Sequence, residues 1–477
     1  MPSTSINRRT QEGEVRGTRL LVIGGGFAGC AAAASLRDQG ASVTLLDDRR
    51  TLGGRARSDD FAGFVIDTGA QLVATSFTRT LGLLSSSRVG GGSAADANDD
   101  TLLHRVKGRD AYVRGDDRFP LQFGSVRSLL AFGGLGALEK LKLAAHLLPA
   151  LTAHHAALDA AAINVPVALD ADTARSYMAT RVSIQAADVL VEPPLNGFYA
   201  LRGSEASLAF YLMLGRYASD SDMLAPEAGW SRVLEAALHG VTCSQDVTVR
   251  ELTMTVGGGV RALASDGREW SADGAVIATG PRSAAALLAP HLMDDDALLR
   301  WLLTIAMRPT WTLALALDVA PRRDAFGVFH DARHAQRVSA CAVLGAKLRH
   351  PSADRDVVLA WPTPDAVRGL RDGSSEHIAA AMLGEIEALV PEVRGHVRRA
   401  RVYRFDEGTP VAHPGFAADR VRGRALAAQI ALPIALAGDY LSAPLIEGAV
   451  SSGLLAADLL MARTRARTRV PGQGNRP

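Results

Sequence analysis

The stretch Leu20-Leu-Val-Ile-Gly-Gly-Gly-Phe-Ala-Gly29 constrains the fold of this chain more than any other. Residues 20–23 have the length and apolarity of a short buried strand, and Gly24, Gly26 and Gly29 then complete G-x-G-x-x-G at the turn into an Ala-rich helix expected over 30–39. The first glycine permits a tight turn. The second removes the Cβ that would block a pyrophosphate, and the third lets helix lie close on strand. Phe27 and Ala28 fall inside the motif, where unpaired N–H groups and the positive end of the helix dipole face the phosphates. Gly40 ends the helix, residues 41–46 read as a second strand, and Asp47 at its tip, with Asp48 beside it, is placed to accept hydrogen bonds from two ribose hydroxyls. A carboxylate there repels a 2′-phosphate and disfavours NADP. G-x-G-x-x-G alone is a weak signal; here strand, helix, second strand and acid fall in register.

At 477 residues the chain exceeds one simple core, and its length favours two or three domains. Hydrophobic content of 48% and charged content of 21% mark a globular protein, and 52 basic residues against 50 acidic ones give no general field for nucleic acid. Cys30, Cys243 and Cys341 lie far apart, which suggests reduced thiols and a cytoplasmic location. Residues 1–18 lack the apolar stretch of a signal peptide, and no run of about 18 uncharged apolar residues suggests a spanning helix. The nearest stretch, 129–151, places Leu138, Leu141, Ala145 and Leu148 at helical spacing. That pattern predicts a core-facing helix, with peripheral membrane contact as the alternative.

Residues 61–67 read as one strand and 85–100 as a mobile loop, while 125–216 is mainly helical with a break at Pro193-Pro194. Strands are expected over 247–252, 260–264, 274–281, 310–318, 356–361 and 434–440, and helices over 376–390 and from Glu447 onward. The nucleotide-type elements are thus split among three stretches. The expected division is a discontinuous cofactor domain (18–76, 228–283 and 430–465), a second domain threaded between (77–227 and 284–429), and disordered tails (1–17 and 466–477).

Gly24-x-Gly26-x-x-Gly29, Asp47, Leu52-Gly-Gly-Arg55, Ile66-Asp-Thr-Gly-Ala70, Ala278-Thr-Gly280, and Gly438-Asp439 followed by Glu447-Gly-Ala-Val-x-Ser-Gly453 keep one order along the chain. In this the chain resembles the flavin-containing amine-oxidoreductase superfamily, which holds monoamine oxidases, protoporphyrinogen oxidases and carotenoid desaturases. The resemblance implies an α/β fold, a Rossmann-like FAD-binding domain interleaved with an α+β substrate domain of mixed sheet and helices. It implies that Arg55 sets a cation against the pyrophosphate while Gly54 lets the loop close, and that Val249 offers backbone groups beside the adenine. Gly69 and Ala70 join the cofactor site, and Asp439 bonds a ribityl hydroxyl or phosphate-linked group. The helix opening at Glu447, Gly448 and Ala449 aims its N–H groups at the pyrimidine end of the isoalloxazine. Asp47 departs from the family's usual glutamate.

Val191-Glu-Pro-Pro-Leu-Asn-Gly-Phe-Tyr199, Ser207-Leu208, Ala225-Pro-Glu-Ala-Gly-Trp230 and Tyr403-Arg-Phe405 with Pro410 and Gly415 are most similar to protoporphyrinogen-oxidase-like bacterial proteins, although a tryptophan commonly stands where this chain has Phe405. The resemblance implies an FAD-dependent oxidoreductase that oxidises or desaturates an apolar or conjugated small molecule by hydride transfer to flavin. An amine or amino-acid oxidase and a flavin-binding protein without turnover are the alternatives. Amine oxidases of the superfamily carry an aromatic residue two positions before the Glu-Gly-Ala glutamate, where this chain has Leu445, and a lysine in the stretch that here runs from Pro281 to Thr310 without one. The only lysines are Lys107, Lys140, Lys142 and Lys347. The flavin itself accepts the hydride, so no catalytic side chain is assigned.

Other chemistries find little support. There is no G-x-S-x-G, and His330 and His334 have helical spacing but no recognised metal-ligand motif around them, so no metal site is expected. His413 reads as a loop histidine.

Overall fold

A computed structural model describes residues 17–85, 102–106, 109–115, 117–122, 125–161, 165–219, 221–293, 296–330 and 333–468. β1 (Arg19–Ile23), β2 (Ser42–Leu46), β3 (Thr242–Ser244), β4 (Gly274–Ile277) and β5 (Ile434–Leu436) form one parallel sheet in the order β3-β2-β1-β4-β5. β1 from Leu20 and β4 are continuous buried runs without polar side chains, because both faces are covered. α1 (Phe27–Asp38) crosses from β1 to β2 and starts earlier than its alanine run suggests, since Gly26 is already its N-cap. The helix Ile446–Thr468 lies against α1 so closely that a Cβ on Gly453 would stand 2.1 Å from the Ala28 carbonyl oxygen.

A second, mixed sheet has seven strands, in the order Val397–Pro410, Met307–Leu317, Asp356–Pro362, Val338–Val343, Ala325–His330, Arg109–Arg114 and Asp117–Leu121. All its pairings are antiparallel except that of Ala325–His330 with Arg109–Arg114. The helix Ser375–Leu389 covers one face with Ile378, Met382, Ile386 and Leu389, a stripe at i, i+4, i+8 and i+11. Val249–Met254 and Val260–Ala264 pair as expected, and Glu269–Ala272 adds a third strand.

The single strand expected over 61–67 is instead a hairpin, Ser58–Phe61 with Phe64–Asp67. Ala62 (φ 54°) and Gly63 (φ 84°) both take positive φ at its tip, as a tight two-residue turn requires. Pro193-Pro194 do not break the helical layer. They open the helix Glu192–Tyr199, following a π-helical turn at Ala187–Val191. Prolines are tolerated in a first turn, where their missing N–H has no helical partner.

The helical layer contains α2 (Thr78–Ser85), α3 (Val126–Ala131), α4 (Ala137–Ala153) and α5 (Leu208–Ala218), and α6 (Ile446–Thr468) closes the chain's described part. In α4 the stripe expected to face the core faces outward: Leu138 is 64%, Leu141 66% and Leu148 45% exposed. The helix is apolar on two faces, and the one that packs is Leu143, Leu147 and Leu151. Periodicity alone cannot choose between two apolar stripes. Among the described residues no helix is long and apolar enough to cross a membrane. The expected tail from 466 begins as helix, since α6 runs to Thr468. Residues 1–16, 86–101 and 469–477, which hold most of the expected tails and of the expected loop, lie outside the described residues.

Candidate functional site

The β1–α1 turn is built by excluding side chains. A Cβ on Gly24, which has φ +110°, would come 2.6 Å from the Ala278 carbonyl oxygen, and one on Gly29 would come 1.8 Å from that of Gly24. Gly26 differs: a Cβ there meets nothing within 4 Å. Packing within the protein therefore dictates the outer two glycines, whereas the middle one faces open space. The first N–H to close a helical bond is that of Cys30, onto the Gly26 carbonyl, so the N–H groups of the first turn point free into that space. Phe27 and Ala28 are buried, Phe27 edge-on to Trp230 at 5.6 Å, and what they offer a ligand is main chain.

Asp47 stands beside this turn at 6% exposure. One carboxylate oxygen accepts from the Gly25 N–H and the other from Arg49 N–H at 2.9 Å. Burial raises its pKa, while the two main-chain donors work against that rise. Asp48 is exposed and lies against Arg49. Val249 belongs to the strand that follows Val247, whose N–H donates to the Asp47 carbonyl at 2.8 Å.

Two further loops stack on the first. Gly53 N–H donates to Gly25 O at 2.8 Å, and a Cβ on Gly54 would lie 3.2 Å from Gly26 Cα. Gly69 in turn presses on the Arg55 backbone, where its Cβ would come 1.8 Å from the carbonyl oxygen. The Arg55 guanidinium donates to Asp439 at 2.7 Å and to Gly408 O at 2.9 Å, so two residues expected to meet different parts of a ligand meet each other. Phe405 lies near Gly69, with the Arg57 guanidinium 5.0 Å over its ring.

At the start of α6 the Glu447 carboxylate is fully buried and accepts from Arg79 N–H, Thr80 N–H and Thr80 Oγ1, which caps α2. Its side chain is thus committed within the protein. Gly448 is packed under the Ala443 carbonyl, and Gly438 N–H donates to Ser452 Oγ at 3.0 Å. Leu445 is 8% exposed. Tyr440, the nearby aromatic, is buried in the core cluster that holds Ile277 and Trp301.

Sequence reasoning missed several members of this region. Glu407 comes from the strand Val397–Pro410 to the Gly280 turn; burial raises its pKa, and Arg282 and Arg55 pull it down. Lys347 reaches Asp67 and Gln71 beside the Gly69 loop. Both arrive from parts of the chain distant in sequence, Glu407 on a strand and Lys347 after a short turn, and no local signal marks them. His413 is an exposed loop residue and His330 ends a strand, not a helix; no cluster of metal-binding side chains occurs among the described residues.

A cavity of about 220 Å³ lies in the helical layer among α3, α4 and α5, with Leu129, Leu143, Leu147, Leu151 and Leu190 on its wall. Among the described residues, Lys140 is the one charged residue lining it.

The residues at the β1–α1 turn fit the adenine dinucleotide of FAD. The space in front of Gly26 is free, main-chain donors face it, and a buried carboxylate stands at its edge. A family model for flavin containing amine oxidoreductase matches residues 27–461. Polyamine oxidase 2 of Arabidopsis thaliana is 42% identical over 57 residues, a stretch that spans 12% of this chain and 12% of that relative. Among solved structures, a candidate protoporphyrinogen oxidase from Exiguobacterium sp. 255-15 superposes with a TM-score of 0.70 at 19% identity, covering 94% of this chain and 99% of that one. Putrescine oxidase bound to putrescine gives 0.68 at 17% identity, with the same coverage. At these identities the likeness to solved structures is one of fold.

Proposed function

Because the chain belongs to the flavin-containing amine oxidoreductase family, we propose that it is an FAD-dependent oxidoreductase acting on an apolar or conjugated small molecule, in the manner of protoporphyrinogen oxidases. The cavity among α3, α4 and α5 carries this reading: its wall is leucine-rich and holds no acid among the described residues, so it offers an apolar shape to a substrate and no counter-charge to an ammonium. The cofactor domain of this proposal takes in 18–76, 228–283 and 430–465, and the substrate domain 77–227 and 284–429.

Bound FAD supplies a hydride acceptor. The chain's residues do the rest. Gly24, Gly26 and Gly29 clear the path of the pyrophosphate, and the N–H groups of Phe27 and Ala28 bind it. Asp47 accepts from the ribose, with Asp48 beside it, and Val249 lies along the adenine. Gly54 and Arg55 would hold the phosphates, and Asp439, next to Gly438, steadies Arg55 and would hold the ribityl part. Gly69 and Ala70 support the ring system, and the start of α6 at Glu447, Gly448 and Ala449 offers main-chain N–H groups, the Glu447 carboxylate being held by α2.

A second reading, amine oxidation, draws on the likeness to putrescine and polyamine oxidases. Leu445 and the burial of Tyr440 weigh against it, since neither offers an aromatic face to a nitrogen centre. Anaerobic mixing of the yellow holoprotein with porphyrinogens, polyenes and amines separates the two. Flavin bleaching by a porphyrinogen or polyene is expected. Rapid bleaching by a primary amine or amino acid alone would replace the first reading with the second. The outward leucines of α4, next to Lys142, also lead us to propose peripheral contact with a membrane by a cytoplasmic protein.

A further inference from the structure

Lys347 follows a short turn, Leu344–Ala346, between two strands of the seven-stranded sheet, and its side chain is 2% exposed. Its Nζ donates to Asp67 Oδ2 at 2.7 Å and to Gln71 Oε1 at 2.9 Å. These acceptors flank Gly69-Ala70. Asp67 is anchored further, for its Oδ1 accepts from Ser58 Oγ at 2.7 Å and from Trp230 N–H at 3.0 Å. Gln71 then works on the turn itself: its Nε2 donates to the carbonyls of Asp67 (2.6 Å) and Gly69 (2.8 Å). Trp230 Nε1 holds the Ala70 carbonyl at 3.1 Å.

The consequence follows from peptide geometry. In a trans peptide the N–H points opposite to the carbonyl of the preceding residue. With the Gly69 and Ala70 carbonyls held inward, the N–H groups of Ala70 and Gln71 are aimed outward, and neither meets an acceptor among the described residues. Ala70 itself is exposed. Lysine is what decides the direction of the Gln71 amide. An ammonium only donates, so it accepts Oε1 as its neighbour and rejects the flipped amide, which would set NH₂ against it. Held this way, Nε2 must face the turn.

On the reading that FAD occupies the adjoining site, we propose that Lys347 is a positioning residue that acts through Gln71 to present the Ala70 and Gln71 N–H groups to the flavin. The test titrates apoprotein with FAD and records the visible spectrum and midpoint potential of the bound flavin for Lys347→Met, Gln71→Ala and the double variant, beside thermal unfolding of each apoprotein. Each single variant is expected to weaken FAD binding by roughly tenfold and to displace the flavin's long-wavelength band. The double variant should bind no worse than Lys347→Met, because both changes interrupt one path. If Lys347→Met does not fold, Gln71→Ala decides the matter, since it leaves the Lys347–Asp67 pair in place. Unchanged affinity, band and potential in Gln71→Ala, losses that add in the double variant, or a lowered unfolding temperature with an undisturbed flavin would each overturn the proposal. A parent protein that takes up no FAD would overturn the reading of the site instead.

Discussion

The β1–α1 crossing and the α3–α5 layer are both made of small or apolar residues, yet they shape space by opposite means. At the crossing, backbone lies on backbone: the outer glycines leave no room for a Cβ, and the only slack is in front of Gly26. In the helical layer, side chains make the walls, and the apolar surface exceeds what packing uses, leaving a cavity on one side of α4 and bare leucines on the other. A volume bounded by main chain admits no side chain at Gly24 or Gly29. A volume defined by leucines can be remodelled by changing side chains.

The strongest test of the first half sets two glycines against each other. Gly29→Ala drives a methyl into the Gly24 carbonyl and should destabilise the apoprotein by about 3 kcal/mol in urea unfolding. Gly26→Ala, with nothing within 4 Å, should leave apoprotein stability within about 0.5 kcal/mol while weakening FAD binding. Equal unfolding curves for the two variants would erase the distinction.

Within the helical layer the contrast lies on one helix. Leu143→Ala removes a packed side chain and should cost about 2–3 kcal/mol. Leu141→Asp, on the outward face, should change stability by less than about 0.5 kcal/mol yet reduce co-sedimentation with anionic vesicles. Full binding by Leu141→Asp would remove the membrane face from the comparison.

A group outside both regions gives a control. Burial pushes the Asp110 carboxyl up to about 7, against the opposing pull of the Gly327 N–H that it accepts at 3.2 Å. The folded protein therefore keeps a proton that the unfolded chain has released, so this group's contribution to stability is full below pH about 4 and is lost as pH rises through about 7. Asp110→Asn should flatten the unfolding temperature across that window and raise it by a few degrees at pH 8, without altering FAD binding. An unchanged pH slope would show that Asp110 is not the responsible group.

Legibility in the sequence followed the same divide. The glycine crossing and the parallel strands were readable because spacing and apolar runs are local properties of a few consecutive residues. The face of α4 was not, since Leu138-Leu141-Leu148 and Leu143-Leu147-Leu151 satisfy the same period, and only the neighbouring helices choose between them. Pro193-Pro194 carried a break signal that a helix start satisfies equally well. The side chain of Glu447 could be carried over from a family pattern, but not its commitment to the N-terminus of α2. Lys347 and Asp67, 280 positions apart, meet only once two sheets are built.

The strand order β3-β2-β1-β4-β5 also sets a timetable. β2 follows β1 within a few tens of residues, but the other flank of β1 waits for Gly274–Ile277, and β4 in turn waits for Ile434–Leu436. During synthesis the half-built sheet carries a bare apolar edge for an interval on the order of tens of seconds, the situation in which nascent chains recruit chaperones. Asp439 and the opening of α6 leave the ribosome later still, long after the glycine turn they face. On the cofactor site proposed above, flavin capture waits until the last helix docks on the first.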